Sequence, residues 1–397
     1  MIMGQPVRRQ IVEKHPELAE QPIYTLIVDG TNLMKISEKD SRVNSRGEHY
    51  GTFFTFLVKL KVLLKKKDFD YVYVVFDDEN SGIMRYKYYN EYKANRDKNY
   101  ETYMENGSDY AKAYNEKLRS MQKAIFSKNK PKKEKTPEEI KAKEDFAREQ
   151  HLLMKYFEEL FVRCICDPDT EGDDIMAYYV MNKKPNEKVV IVSGDMDLCQ
   201  LLSPTVCIFN PRSNSFVTYE NFKQLNGYPS ENVLIKKIFC GDTSDNIGNI
   251  DGLSETRLFE MMPEIKERPI TVNEVKERAK ELIEERKSNK KKPLKYHENI
   301  VNGISRRNYE GDFYEINDKI INLKKPLLTE SALEELNAMR YAPIDPEGRS
   351  FGNVARYVRE DDITELLDDN RFSGFFVEFN SLANREKLRY EKEILKK

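Results

Sequence analysis

The sequence predicts an α/β fold: a central, mostly parallel, twisted sheet with helices on both faces, a helical insertion and a helical C-terminal region. Two observations carry that prediction. Short apolar runs at residues 23–28, 71–76 and 189–192 alternate with helix-length amphipathic stretches, the pattern of strand–helix–strand units. Each run is closed by an aspartate at or just past its end, Asp29, Asp77 and Asp195, and open α/β sheets build their sites outside strand carboxyl ends. Turn propensity explains one such aspartate; three in the same relation to a strand point to a shared centre.

At 397 residues the chain has room for two domains, or for one large α/β domain with additions. Charged residues make up 34% of it at a net charge of −2, so bulk charge argues neither for nor against a nucleic-acid partner. Five cysteines, an odd number without Cys-x-x-Cys spacing, argue against a disulfide scaffold or a zinc site and fit a reducing, cytoplasmic setting. Cys164 and Cys166 alternate in a strand-like run and read as buried thiols. No apolar run approaches the roughly 20 residues of a membrane span, so no membrane association is expected. The first twenty residues lack the apolar core of a secretory signal.

Taken in order, residues 1–20 read as a loosely held polar extension. The strand at 23–28 runs into Asp29-Gly30-Thr31-Asn32. A helix over 52–67 has Phe53, Phe56, Leu57, Leu60 and Leu64 at helical spacing, with Lys65, Lys66 and Lys67 complementing its C-terminus. The strand at 71–76 delivers Asp77. Residues 81–96, S-G-I-M-R-Y-K-Y-Y-N-E-Y-K-A-N-R, interleave basic side chains with tyrosines. Helical last turns would put Lys93 and Arg96 on one face, with Tyr92 beside them and Arg85 two turns earlier. That face suits a phosphate clamp with a stacking aromatic, or a solvated helix with half-buried tyrosines. From 97 to about 150 the chain is polar, with a lysine-dominated stretch at 127–135 between helix-like stretches at 110–126 and 137–157. It reads as a solvated block or as a bridge guiding a phosphate backbone.

Glu171, Asp173 and Asp174 open a helix with its body at 175–182, where the positive dipole end suits acids. The strand at 189–192 leads to Ser193-Gly194-Asp195-Met196-Asp197. Strands at 205–209 and 215–219 form an edge hairpin. Helix resumes at 232 and is followed by G-D-T-S-D-N-I-G-N-I-D-G-L-S-E-T-R, residues 241–257. Asp242 and Asp245 fall three apart, and Gly248 and Gly252 bracket a tight turn between helices. Such a turn presents backbone groups to a DNA phosphate, sometimes through a monovalent cation, or is a plain helical corner. Residues 271–297 read as a charged helix ending in 287–295, five of whose nine residues are lysine: a solvated tail or a duplex-facing patch. Amphipathic helices follow from 313, and the aromatic run at 372–379 reads as core. The expected organisation is an extension, 1–20, a core, 21–230, with an insertion at about 97–150, and a helical region, 231–397.

Carboxylates brought together in this way repel one another unless some protonate or cations neutralise them. Hard divalent ions with oxygen ligands answer that requirement. A calcium loop is a poor fit, because its ligands lie within one short loop whereas these acids run from 29 to 245.

This set of motifs resembles the flap endonuclease family of structure-specific 5′-nucleases, and within it the T-even-type phage ribonuclease H branch. The likeness is carried in order by V-D-G at Asp29, V-F-D at Asp77, S-G-x-x-R and Y-K-x-N-R across 81–96, E-G-D-D at Glu171, S-G-D-M-D at Ser193 and G-D-T-S-D-N at Gly241. A weaker likeness continues through 313–328. The resemblance implies a PIN-like nuclease core. It implies one metal group at Asp29, Asp77, Glu171 and Asp173, with Asp174 adjacent, and a second at Asp195, Asp197 and Asp245, with Asp242 in support. Tyr92, Lys93 and Arg96 match the family's gateway helix, and Arg85 a further phosphate contact. Residues 97–150 match the arch over the 5′ strand, and Gly248, Gly252, Ser254 and Arg257 the duplex-gripping turn. Departures are Gly172 for the usual alanine, Ser254 for a glycine of the turn, and Thr256 for a lysine.

The activity so implied is 5′-3′ exonuclease, flap endonuclease and ribonuclease H cleavage by two Mg²⁺ ions, with Mn²⁺ able to substitute and K⁺ a candidate at the turn from Gly248 to Ser254. The four histidines lie outside every motif, and none is needed as a base. Implied partners are duplex DNA with a 5′ flap or nick and an RNA·DNA hybrid, with a single-strand-binding protein or a sliding clamp as protein candidates. The chain itself is expected to be a monomer in the host cytoplasm, removing RNA primers and flaps in phage replication. Competing readings are a catalytically silent flap or fork binder, whose acids should be eroded, and a single-strand ribonuclease of PIN type, which should be shorter.

Overall fold

A computed structural model describes residues 22–78, 81–93 and 136–394. The extension, Arg96 and the insertion as far as residue 135 lie outside the described residues. Six strands form one sheet in the order β3-β2-β1-β4-β5-β6. They are β1 (Ile23–Asp29), β2 (Tyr71–Val75), β3 (Arg163–Ile165), β4 (Glu187–Val192), β5 (Val206–Asn210) and β6 (Ser215–Val217). All neighbours are parallel except β5 and β6, the expected edge hairpin. In chain order the helices begin with α1 (Gly30–Ser37), α2 (Gly51–Lys66), α3 (Ile83–Tyr86), α4 (Pro137–Glu159) and α5 (Gly172–Met181). They continue with α6 (Tyr219–Asn226), α7 (Val233–Cys240), α8 (Glu255–Met261), α9 (Val272–Ser288), α10 (Lys295–Asn302) and α11 (Phe313–Ile321). The last are α12 (Glu330–Met339), α13 (Phe351–Glu360) and α14 (Asp369–Ile394).

Both faces of the sheet are covered, which is why its strands read as continuous apolar runs. Leu26, Val28, Val72, Val74 and Val192 face a layer made by α2, α4, α13 and α14. Their alternates Ile27, Tyr73, Val75 and Ile191 face α5 and α12. The side-chain period of two thus assigns each strand residue to one of two cores. The chain runs outward from β1 through β2 to β3 and then crosses back to β4 on the other side of β1, so β1 flanks the point where strand order reverses. Glycine follows Asp29 for a steric reason: a Cβ on Gly30 would lie 2.5 Å from the Phe76 ring and 2.9 Å from Val74.

A third core joins α7 to α11 with Ile83, Tyr86, Tyr89 and Tyr92. The region from 231 onward is therefore not one packing unit. Residues 233–321 close over the tyrosine-rich segment, while α13 and α14 return to the sheet, where Phe375, Phe376 and Phe379 are buried. A buried bidentate pair, Arg163 to Glu386 at 2.7 and 3.1 Å, ties α14 to β3. Among the described residues, no helix is long and apolar enough to cross a membrane.

Candidate active site

The acids gather at the carboxyl edge of β1, β2 and β4 and at the start of α5, and their supports are local. Asp29 accepts from the Asn32 N–H at 2.9 Å and from the Ser193 hydroxyl at 2.7 Å. Asp77 accepts from the Gly172 N–H at 2.7 Å, while its own N–H donates to the Thr31 hydroxyl at 2.8 Å. A Cβ on Gly172 would sit 3.1 Å from the Asp77 carboxylate, a tight contact that a shift of a few tenths of an ångström in that side chain would relieve. Asp195 accepts from the Asp197 N–H at 2.8 Å, and its own N–H donates to the Ser193 hydroxyl at 3.0 Å.

Electrostatics divides these acids in two. Burial, then the Asp77 charge, pushes Asp29 up to about 7. Burial, then Asp195, Asp29 and Asp77, pushes Asp173 well above the ordinary carboxylate range. No cation figures among the leading influences on either acid. Glu171 differs. Burial opposes its ionisation, but Arg85 at 2.9 Å and Lys93 at 2.6 Å hold it down at about 2, with the Tyr92 hydroxyl donating at 2.9 Å. Asp174 turns away from the cluster to the Arg85 guanidinium and the Leu327 N–H, 3.0 Å away.

Near the glycine turn, Lys237 bridges Asp197 and Asp242, the latter at 2.6 Å. Asp242 carries the charge: burial raises it, Lys237 and Ser244 outweigh burial, and it sits at about 2. Burial, opposed by Lys237 and reinforced by Asp195, leaves Asp197 raised to about 6. Asp245 accepts from the Tyr92 hydroxyl at 3.4 Å, and its carbonyl accepts from the Lys93 N–H at 2.8 Å. The Lys93 backbone is left-handed there, with φ at 50°. Lys93 thus links both acidic groups, one through its side chain and one through its backbone.

Three expectations change. Among its described residues, the segment expected as a gateway helix is helical over α3, and residues 87–93 form turns and irregular backbone as Tyr86, Tyr89 and Tyr92 are drawn into the third core. Tyr92 is 2% exposed with its hydroxyl on Glu171, so its ring is not offered to a base. Arg85 is buried too, occupied by Asp174, Glu171 and the Ile320 carbonyl, rather than open to a phosphate. Arg96 lies outside the described residues.

At the turn, Gly252 is left-handed with φ at 79°, and a Cβ on Gly248 would lie 2.7 Å from the Ser305 hydroxyl. Ser254 caps α8 by accepting from the Arg257 N–H at 3.3 Å. The carbonyls a monovalent ion would draw on already accept internal donors: Asn317 at Gly248, Ser305 at Asn249, Asn299 at Asp251 and Arg257 at Gly252. Each of these carbonyls carries two lone pairs, so their internal bonds neither require K⁺ nor bar it.

The sequence reading missed Lys237, whose five-residue offset from Asp242 falls outside the same-face spacings of a helix. It also gave no role to Ser193, inside a quoted motif, or to Thr31 and Asn32, directly after another. As for a divalent ion, among the described residues no group of three or more His, Cys, Asp or Glu side chains is arranged to hold one as it stands. The donor chemistry fits nonetheless: Asp29, Asp77, Asp173 and Asp195 are oxygen donors at one sheet edge, and the crowding raises Asp29 and Asp173, the condition a hard cation relieves.

The family model for the 5′-3′ exonuclease N-terminal, resolvase-like domain matches residues 24–227. The chain belongs to that family. It is 26% identical over 250 residues to the thermostable DNA polymerase I of Thermus filiformis, covering 62% of this chain and 24% of that protein. It is 34% identical over 112 residues to the 5′-3′ exonuclease of Buchnera aphidicola subsp. Schizaphis graminum, covering 27% of this chain and 38% of that one. The chain thus spans about a quarter of the polymerase relative's length. In fold it is similar to the bacteriophage T5 D15 flap endonuclease, solved as a pseudo-enzyme-product complex with DNA and metal ions. The TM-score is 0.54 at 17% identity, covering 79% of this chain and 97% of that one. The T5 D15 protein co-crystallised with metal ions gives 0.51 at the same identity and coverage.

Proposed function

We propose that the chain is a divalent-metal-dependent, structure-specific 5′-nuclease with exonuclease, flap endonuclease and ribonuclease H activity, acting on primers and flaps in phage DNA replication. One observation carries the reading: Asp29, Asp77, Asp173 and Asp195 crowd one sheet edge with so little compensation that burial and repulsion lift Asp29 to about 7. Family membership and the fold shared with a metal-bound flap endonuclease support it. The placement in phage replication and on RNA rests on the motif likeness to the T-even branch.

Asp29, Asp77, Glu171 and Asp173 would hold one Mg²⁺ or Mn²⁺, and Asp195, Asp197 and Asp245 a second, with Asp242 in support. Bound there, the ions would lower the pKa of a water and stabilise the leaving oxygen of an in-line displacement. The chain's own residues set the conditions. Arg85, Lys93 and Tyr92 keep Glu171 ionised at neutral pH. Asn32, Ser193 and Gly172 donate to the carboxylates of Asp29 and Asp77 and so orient them, while Thr31 holds the Asp77 backbone N–H. Lys93, half-buried between the two acidic groups, is the cation able to exchange Glu171 for a substrate phosphate. No base-edge reader is present among these residues, so specificity falls to duplex shape and a free 5′ end.

The test is cleavage of 5′-labelled and 3′-labelled RNA·DNA, nicked duplex, 5′-flap and single-stranded substrates, with Mg²⁺ or with EDTA. Short 5′ fragments from duplex-containing forms, lost in EDTA, are expected. Flap binding without cleavage would instead make the chain a silent binder.

A further inference from the structure

We infer that the basic tip between α9 and α10 is a second contact for duplex phosphates, continuous with the turn at Gly248–Arg257. The inference rests on the duplex-nuclease reading above. From residue 286 to 295 the chain carries Arg286, Lys287, Lys290, Lys291, Lys292 and Lys295 and no acid. The body of α9 is neutralised internally: Lys280 meets Glu277 at 2.7 Å, Arg278 meets Glu281 at 2.9 Å, and Lys287 meets Glu284 at 2.8 Å. Among the described residues, no ion pair engages Lys290, Lys291 or Lys292, and all three are exposed. A helix dipole would be served by one or two cations in the last turn; it does not account for this excess beyond the helix end.

The tip is a built turn. The Lys291 N–H donates to the Arg286 carbonyl at 2.8 Å, the Arg286 Nε to the Lys292 carbonyl at 2.8 Å, and Lys290 is left-handed with φ at 54°. The helix that follows it, α10, is held against the glycine turn. Asn299 donates to the Asp251 carbonyl at 2.8 Å, and the Arg257 guanidinium lies 5.4 Å from the Tyr296 ring centroid. Lys295 and Arg306 share the Asp251 carboxylate, yet their side chains remain 81% and 78% exposed. At about 3.4 Å per residue of extended chain, Lys290 lies within about 17 Å of Lys295. That is roughly five base-pair steps along a duplex. Lys295 and Arg306 meet at Asp251, Arg257 lies beside the same turn, and the tip follows within five residues of Lys295, a run of cations of the length a phosphate backbone can follow. Lysines, as point charges, would hold it without reading sequence.

The test compares the full wild-type chain with the triple variant Lys290→Ala, Lys291→Ala, Lys292→Ala, and with the charge-keeping triple Lys→Arg. Binding of flap substrates with duplex arms of about 8 and about 24 base pairs is measured across a salt series in EDTA. For the long arm, the slope of log affinity against log salt should shrink by about 2 to 3 in the Ala triple and be retained in the Arg triple. For the short arm the variants should match wild type, as should single-turnover cleavage at saturating enzyme. Equal slopes for wild type and the Ala triple on the long arm, or loss in the Arg triple as well, would overturn this inference alone. A wild-type chain that binds no duplex at all would overturn the nuclease reading with it.

Discussion

The acids of the candidate site fall into two regions that the protein treats in opposite ways. Glu171 and Asp242 are matched by Arg85, Lys93 and Lys237, so the folded chain satisfies them by itself, while Asp174 shares the Arg85 guanidinium but is still raised by burial. Asp29 and Asp173 are pressed together with Asp77 and Asp195 and raised by burial and mutual repulsion. The difference teaches where the folded chain leaves charge uncompensated: its cations lie around the centre, and on the proposed reading a divalent ion would supply the rest. Stability and function should therefore separate along this line.

The sharpest break between the two regions should come from Asp29→Asn. Removing a ligand costs at least as much as removing its outer support, so cleavage should fall by about 10² or more. The folded chain should nonetheless melt at a higher temperature in EDTA, because a repelled charge is gone. Arg85→Met should do the reverse to stability. It leaves Glu171 and Asp174 buried with less compensation, at a cost of about 3 to 5 kcal/mol in denaturant unfolding. A variant as stable as wild type would mean that the matched region is not matched by Arg85. Lys237→Ala should have the smallest effect, about 1 to 3 kcal/mol, since Lys237, Asp197 and Asp242 are less deeply buried than Arg85 and its partners. A loss as large as that from Arg85→Met would place Lys237 with Arg85 as a buried counter-ion.

Legibility followed the same division. The strands ending at Asp29, Asp77 and near Asp195 were readable because a buried parallel strand is a continuous apolar run and its end is marked by the first polar residue. The edge hairpin was readable from its turn. What escaped was partnership across the chain. Lys237 and Asp197 are 40 residues apart, and Arg85 and Asp174 are 89 apart, distances over which periodicity carries no signal. The tyrosines at 86, 89 and 92 were misplaced for a related reason. Spacing of three reads as an amphipathic face, but only the presence of α7 to α11 decides whether that face meets water or a core.

The central claim is that the Asp29 charge is unfavourable in the folded chain until a cation arrives. The direct measurement is the melting temperature of wild type and Asp29→Asn in EDTA across pH 4 to 8. Asp29 is raised from its ordinary 3.8 to about 7, so the stability tied to its proton is present below about pH 4 and lost as pH rises through about 7. The variant's advantage should therefore be near zero at pH 4, grow towards pH 7 and then level off, and Mg²⁺ at pH 8 should raise wild type more than the variant. An advantage independent of pH, or a wild type that is the more stable of the two at pH 8 in EDTA, would contradict the account.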